Sequence, residues 1–128
     1  MSFATDIKYL MTSDTSLNTM SEGGIHYENL PVNFDFTKNG IIYSFNKTSQ
    51  ISCMNGGIAL MQYNITAKIL STDPPHLEEI NDYLVSYLNN KSYNNIRDVA
   101  FASDNHTIDL EKGVYVNILQ FDVLYEAY

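Results

Sequence analysis

The sequence predicts an α+β fold, a two-layer domain in which two helices pack on one face of a mixed, mostly antiparallel sheet. Apolar and polar residues alternate from Ile58 to Leu70, which indicates a long strand with one buried and one wetted side. Directly after it, apolar residues recur at helical spacing through residues 77 to 88. A strand of this kind belongs in a sheet that helices cover on one side.

The chain length fits one domain, residues 1–128. A chain of this size buries roughly two-thirds of its unfolded surface on folding, which is enough for a core that needs no disulfide or metal to hold it together. Cys53 is the only cysteine, so no internal disulfide is expected. No internal repeat and no linker-like stretch divides the chain.

The N-terminal region predicts one helix and one short strand. Ser2 is suited to capping a helix over residues 3 to 12, which has one apolar face. Residues 12 to 20 are mostly cap-and-turn types, with Leu17 and Met20 expected to cover the core. The stretch from residue 25 to Pro31 indicates a short strand that the proline ends.

The centre of the chain predicts a hairpin with a long loop. Ile41 to Phe45 is a short β-branched and aromatic run that opens after Asn39-Gly40. Asn46 to Gly57 is polar and ends in a glycine pair. We expect it to be a mobile hairpin loop that orders on binding.

The C-terminal half predicts a helix and two closing strands. Asp73 and Pro74 are suited to the start of a helix whose apolar stripe faces the sheet. Residues 96–103 and 113–125 are expected to be strands, joined by a polar linker from Asp104 to Gly113. The apolar side of the last strand changes near Ile118, which indicates a bulge or burial on both sides.

No motif indicates an enzyme, a cofactor or a metal site. The three histidines are scattered along the chain, and no glycine-rich phosphate loop is present. Asp104, Asp109 and Glu111 could bind a hard cation, but a solvated hairpin tip explains them equally simply. Glu78 and Asp82 share a helix face, and stabilisation of the helix dipole accounts for acids at that position.

The composition is acidic, with 15 Asp and Glu against 7 Lys and Arg and a formal charge of −8. Such a chain should be repelled by DNA phosphates, so specific nucleic-acid binding is not expected. We find no signal-peptide pattern and no apolar run that could cross a membrane. We therefore expect a protein that is made in the cytosol.

The order of elements resembles that of the tail terminators, or tail-completion proteins, of tailed phages. An amphipathic start, FATDIKYLM, leads to GGIHYENLP. A long strand, ALMQYNITAKILSTD, runs into LEEINDYLVSYLN. The chain closes with NIRDVAFASDNHTIDLEKGVYVNILQFDVLY. The resemblance spans nearly the whole chain as a match of pattern and order, and it leaves Asn46 to Gly57 unaligned.

The resemblance implies a structural virion protein of the neck. Six protomers of that family form a ring that caps the tail tube and joins the tail to a head–tail connector or stopper protein. DNA passes through its lumen without being read. The expected location is the virion, with the host cytoplasm as the place of assembly.

Subunit contacts are expected at the polar loop and the polar linker. The candidate residues are Asn46, Lys47, Thr48, Gln50, Met54, Asn55, Asp104, Asn105, His106, Asp109, Glu111 and Lys112. Two alternatives remain open at this point. One is another connector or head-completion ring protein, and the other is a small-molecule-binding or enzymatic domain with an acidic pocket.

Overall fold

The fold is a five-stranded mixed sheet with helices on one face. The computed structural model describes residues 2–52, 58–109 and 113–126. Its elements are α1 (Phe3–Thr12), α2 (Thr15–Met20), β1 (Ile25–Tyr27), β2 (Gly40–Ser52), β3 (Ile58–Ser71), α3 (Pro74–Leu88), β4 (Ile96–Asp109) and β5 (Val114–Glu126). The strand order is β1-β2-β3-β5-β4. The strands β1 and β2 are parallel, and the other neighbours are antiparallel, as the predicted fold class requires.

The core lies between the helices and one face of the sheet. Ile65, Ala67 and Ile69 of β3 are buried in one cluster with the apolar sides of all three helices. The predicted stripe of α3 is confirmed, because Leu77, Ile80, Leu84 and Leu88 are buried. These side chains remove apolar surface from water, which is the main force that holds the two layers together.

The helix starts follow the sequence with one difference. The Ser2 hydroxyl accepts a hydrogen bond from the Thr5 amide at 3.2 Å, as an N-cap should. Asp73 is the N-cap residue of α3, but its side chain makes no capping hydrogen bond. The Asp73 amide instead donates to the Ser71 hydroxyl at 3.1 Å, and the Asp73 carboxylate lies 3.2 Å from His76 Nδ1.

A third helix, α2, replaces part of the expected turn. The Asp14 carboxylate accepts from the Leu17 amide at 2.9 Å and so caps Thr15–Met20. Leu17 is fully buried and Met20 packs against the core, as expected. The residues that favour turns also favour N-caps, so the same letters can end one helix and begin the next.

The predicted loop at Asn46 to Gly57 is wrong for its first part, because β2 continues to Ser52. Residues 53–57 of this loop lie outside the described residues. Asn46 pairs with Asn64 and Lys47 with Tyr63, and the register shifts between Lys47 and Ser49. The cross-strand contact from the Ser49 hydroxyl to Gln62 Oε1 is 2.8 Å. Exposed strand residues need no apolar side chain when the ladder supplies the backbone hydrogen bonds.

The predicted linker at Asp104 to Gly113 is likewise wrong for its first part, since β4 continues to Asp109, while residues 110–112 lie outside the described residues. Its register runs from Asp104 opposite Leu119 to Asp109 opposite Val114. The bulge expected near Ile118 is not there, because the irregularities lie in β4 rather than in β5. Ile118 is instead partly buried on the sheet face away from the helices, while Leu119 is in the core.

Candidate subunit interface

The described residues offer no metal site. No group of three or more His, Cys, Asp and Glu side chains among them could hold a metal ion. No helix in residues 2–52, 58–109 and 113–126 is long and apolar enough to cross a membrane. The surface features that stand out are two grooves at opposite ends of the sheet.

The first groove, which we call the acidic cleft, lies between α3 and the β4–β5 hairpin and has a volume of about 490 Å³. Three carboxylates line it, and its described lining includes no Lys or Arg. The lining residues are Pro74, Leu77, Glu78, Asn81, Asp82, Asp104, His106, Tyr115 and Asn117.

Strand pairing places the β4 residues in this cleft. Asp104 lies opposite Leu119 and His106 opposite Asn117, so their side chains share the face that the helices cover. His106 Nε2 is 3.6 Å from a carboxylate oxygen of Asp104. The cleft therefore combines acids from a helix and from an edge strand.

The floor of the acidic cleft has an unused hydrogen-bond acceptor. Asn117 is fully buried, and its Nδ2 donates to Oδ1 of Asn81. Its own Oδ1 has no hydrogen-bond partner among the described residues. This oxygen is also closed to solvent, and an unsatisfied buried acceptor costs about 1–3 kcal/mol.

The rim of the acidic cleft is apolar. Tyr115 lines the cleft with 37% of its surface exposed, and its cross-strand partner Ile108 is 44% exposed. Two large neighbouring side chains left open to water on one face are typical of a contact surface.

The second groove, which we call the basic groove, lies between α1 and β1 and has a volume of about 390 Å³. Lys8 is its one charged residue apart from His26, which is charged only when protonated. The lining residues are Ala4, Lys8, Thr12, Ile25, His26, Tyr27, Tyr43 and Phe45. Within this groove the ring centroid of Tyr27 lies 5.4 Å from that of Tyr43 and 5.5 Å from that of Phe45.

Local backbone geometry brings β1 to this position. Gly24 adopts a φ of 95°, which glycine allows at little cost. The Gly23 amide donates to the Asn39 carbonyl at 2.6 Å, and the Ile41 amide donates to the Gly24 carbonyl at 3.1 Å. Tyr27 is left 46% exposed. Burial raises the pKa of the neighbouring Tyr43 above its usual value.

Both ends of the sheet have open strand edges. The strand β1 covers β2 only from Ile41 to Tyr43, so no described strand pairs with the outer edge of β2 beyond that point. At the other end, the residues that follow α3 cover part of the outer edge of β4, where the Asn90 amide donates to the Val99 carbonyl at 2.7 Å and the Phe101 amide donates to Asn89 Oδ1 at 3.2 Å. In the described part of the chain, no strand pairs with the rest of that edge. Open edges are sites where a second chain can add.

The predicted interface residues fall into two separate groups. Asn46, Lys47, Thr48 and Gln50 are exposed on β2, near the basic-groove end of the sheet. The other group lies on β4, at the opposite end: Asp104, Asn105, His106 and Asp109. Four more candidates lie outside the described residues: Met54, Asn55, Glu111 and Lys112.

The structure brings some of these residues to the acidic cleft and leaves others out. Asp104 and His106 line it, whereas Asn105 pairs with Ile118 on the opposite face of the sheet. Glu78 and Asp82 also line it, although the sequence accounted for them only as helix-dipole residues. Nothing in the sequence indicates Asn117 as a cleft residue, because its burial follows from strand register rather than from residue type.

Comparisons with known proteins bear on the fold. No family model matches this sequence, and no curated protein matches it. The fold is similar to that of a chain in the solved structure "Virion of native gene transfer agent (GTA) particle". The two chains share 10% sequence identity, the match covers 98% of this chain and 95% of that chain, and the TM-score is 0.71.

Proposed function

We propose that this protein is a structural virion protein that caps a phage tail tube as a homo-oligomeric ring, most simply of six subunits. The ring joins the tail to the head–tail connector or stopper protein, and DNA passes through its lumen. The observation that carries this proposal is the fold shared, over nearly the full length of both chains, with a chain of a gene transfer agent virion.

The surfaces of the protomer are consistent with a ring. A closed ring needs two different patches that meet head to tail. The acidic cleft and the basic groove lie at opposite ends of the sheet order, beside β4 and β1. A chain with one such surface at each end can repeat the same contact around an axis.

The acidic composition is consistent with a lumen through which DNA slides. The formal charge is −8, and like charge opposes lasting contact with phosphates. The protein would then reside in the neck of the virion and in the host cytoplasm during assembly.

The test is a phage that lacks this gene. We expect overlong or unjoined tails, and we expect added protein to restore joining and infectivity. Tails of normal length that join heads and infect would refute the proposal. Tails of normal length that fail to join, with the protein located by electron microscopy on the head side, would instead favour a connector or head-completion protein.

A further inference from the structure

We propose that the acidic cleft of one copy binds the surface around Lys8 and Tyr27 of a second copy. This inference rests on the proposed ring and names the contact that would close it. Repetition of the contact makes each subunit use its cleft toward one neighbour and its basic groove toward the other. The ring is thereby built from one heterologous interface.

Charge favours a second copy as the occupant of the cleft. Glu78, Asp82 and Asp104 line the cleft with no described cation beside them except the ionisable His106. At the other end of the sheet, Lys8 is exposed in the basic groove, and the one described carboxylate that contacts Tyr27 there is that of Glu28. Lys47 of β2 is also exposed, and it pairs with Tyr63, so its side chain lies on the sheet face that the helices cover. In an acidic protein this separation of charge opposes head-to-head pairing and favours head-to-tail pairing.

The carboxylates of the cleft fit the same occupant. A lysine ammonium has three donors and no acceptor. An ammonium that enters the cleft meets Glu78, Asp82 and Asp104, and charge-assisted bonds to carboxylates are the stronger kind.

The apolar parts of the two surfaces also correspond. Ile108 and Tyr115 are exposed beside the cleft, and Tyr27 is exposed beside Lys8. Aromatic anchors surrounded by polar residues supply most of the affinity in protein contacts, while charges at the edge select the partner. Each of the two grooves thus offers both an aromatic contact and a charged contact.

The first experiment reverses the charges. One variant carries Glu78→Lys with Asp82→Lys, another carries Lys8→Glu with Lys47→Glu, and a third carries all four changes. Each is supplied to a phage that lacks the gene, and joined, infectious particles are counted. We expect each double variant to lose about tenfold or more, because like charges then face each other. The four-fold variant should recover most of that loss.

Matched controls separate a local contact from a general effect of charge. Glu79→Lys alters the next residue of α3, which is exposed and lines a different groove with Met20 and His76. Lys68→Glu alters an exposed lysine on the sheet face away from the helices. Both variants should support joining as well as the wild type does. Circular dichroism of every variant checks that the fold is intact.

The second experiment fixes the contact covalently in assembled particles. In a Cys53→Ser background, Lys8→Cys with Asp104→Cys should give an oxidised ladder that extends beyond dimers, because each subunit contributes one cysteine to each neighbour. Dimers only would indicate a head-to-head contact and overturn the proposal. A cross-link to a different virion protein would identify that protein as the occupant of the cleft and also overturn it.

The outcomes distinguish this inference from the function on which it rests. If wild-type protein restores joining while neither double variant reduces it, the proposed contact is wrong and the ring function stands. If the phage needs no such protein to join its tails, the ring function fails, and the contact fails with it.

Discussion

Asp6 shows how one residue can tie the start of the chain to its end. It is 1% exposed in α1. One carboxylate oxygen accepts from Asn94 Nδ2 at 3.2 Å, and the other accepts from the Tyr125 hydroxyl at 3.3 Å. Burial raises the pKa of Tyr125, and the negative charge of Asp6 raises it further. The sequence places Asp6 in a helix but cannot show that it faces inward.

Replacing Asp6 by alanine should destabilise the fold by about 1–3 kcal/mol, since the buried Tyr125 hydroxyl and the part-buried Asn94 amide each lose a hydrogen bond to Asp6. Urea unfolding at neutral pH measures this loss. Glu79→Ala, at an exposed position of α3, is the control and should stay within about 0.5 kcal/mol of the wild type. Equal stabilities for both variants would show that the Asp6 contacts contribute nothing.

Tyr83 links α3 to the cap of α2. Its hydroxyl donates to the Asp14 carboxylate at 2.6 Å. This hydrogen bond is the main cause that raises the pKa of Tyr83, and partial burial raises it further. Because the pKa is higher in the folded state than in the unfolded state, the contact stabilises fully below the unfolded value of about 10. This stabilisation is lost as pH rises through the folded value.

The Tyr83→Phe variant should therefore be less stable than the wild type at pH 7 and lose less stability above about pH 10. Urea unfolding over a series of pH values tests both parts, with the wild type as the reference. The burial of Tyr43 and Tyr87 also raises their pKa values, so the variant should keep part of the alkaline decline. Identical curves for the variant and the wild type would show that the Tyr83–Asp14 hydrogen bond does not contribute to stability.

At the scale of elements, periodic patterns predicted well and polar stretches predicted poorly. The helix over residues 3 to 12, the stripe of α3 and the alternation in β3 are all confirmed. In each of these elements, local patterning and burial agree. The predictions of a loop at the polar end of β2 and of a linker at the polar end of β4 are wrong. Whether these residues form a strand depends on the partner strand rather than on their own side chains.

The same physical reason limits the prediction of the candidate interface. The sequence indicates Asp104 and His106 as polar linker residues, whereas the strand register places them on one face beside Glu78. The sequence gives no sign of the groove around Lys8, because this groove exists only when α1 lies next to β1. The excess of acidic residues can be read from the composition. The separation of charge between the two ends of the sheet can be seen only in the folded structure.

Leu84 tests the packing of α3 on the sheet. It is fully buried in the core cluster, so Leu84→Ala should destabilise by about 2–5 kcal/mol through lost burial and the cavity left behind. Denaturant midpoints measure the change. Ser86→Ala, at an exposed position two residues along the helix, is the control. An unchanged midpoint for Leu84→Ala would contradict the two-layer packing.

At the scale of the whole molecule, net charge sets the expected behaviour toward DNA. The isolated protein should bind duplex DNA weakly or not at all at physiological salt, because a charge of −8 opposes contact with phosphates. A gel shift over a range of salt concentrations is the measurement. Tight binding that weakens steeply with salt would indicate a basic surface for nucleic acid and contradict a lumen through which DNA slides.

The central position of β3 and β5 has a consequence for how the chain folds. The pairs β2–β3 and β4–β5 join neighbours in sequence, whereas the β3–β5 ladder pairs Leu60 with Glu126. Contacts between residues far apart in sequence form slowly, because the chain must first lose the entropy of closing a long loop before these contacts stabilise it. We therefore expect the two hairpins to form first and the β3–β5 ladder to form last. Until β5 pairs, the edge of β3 that faces it stays open, so an incompletely synthesised chain that lacks β5 should be the most prone to aggregate.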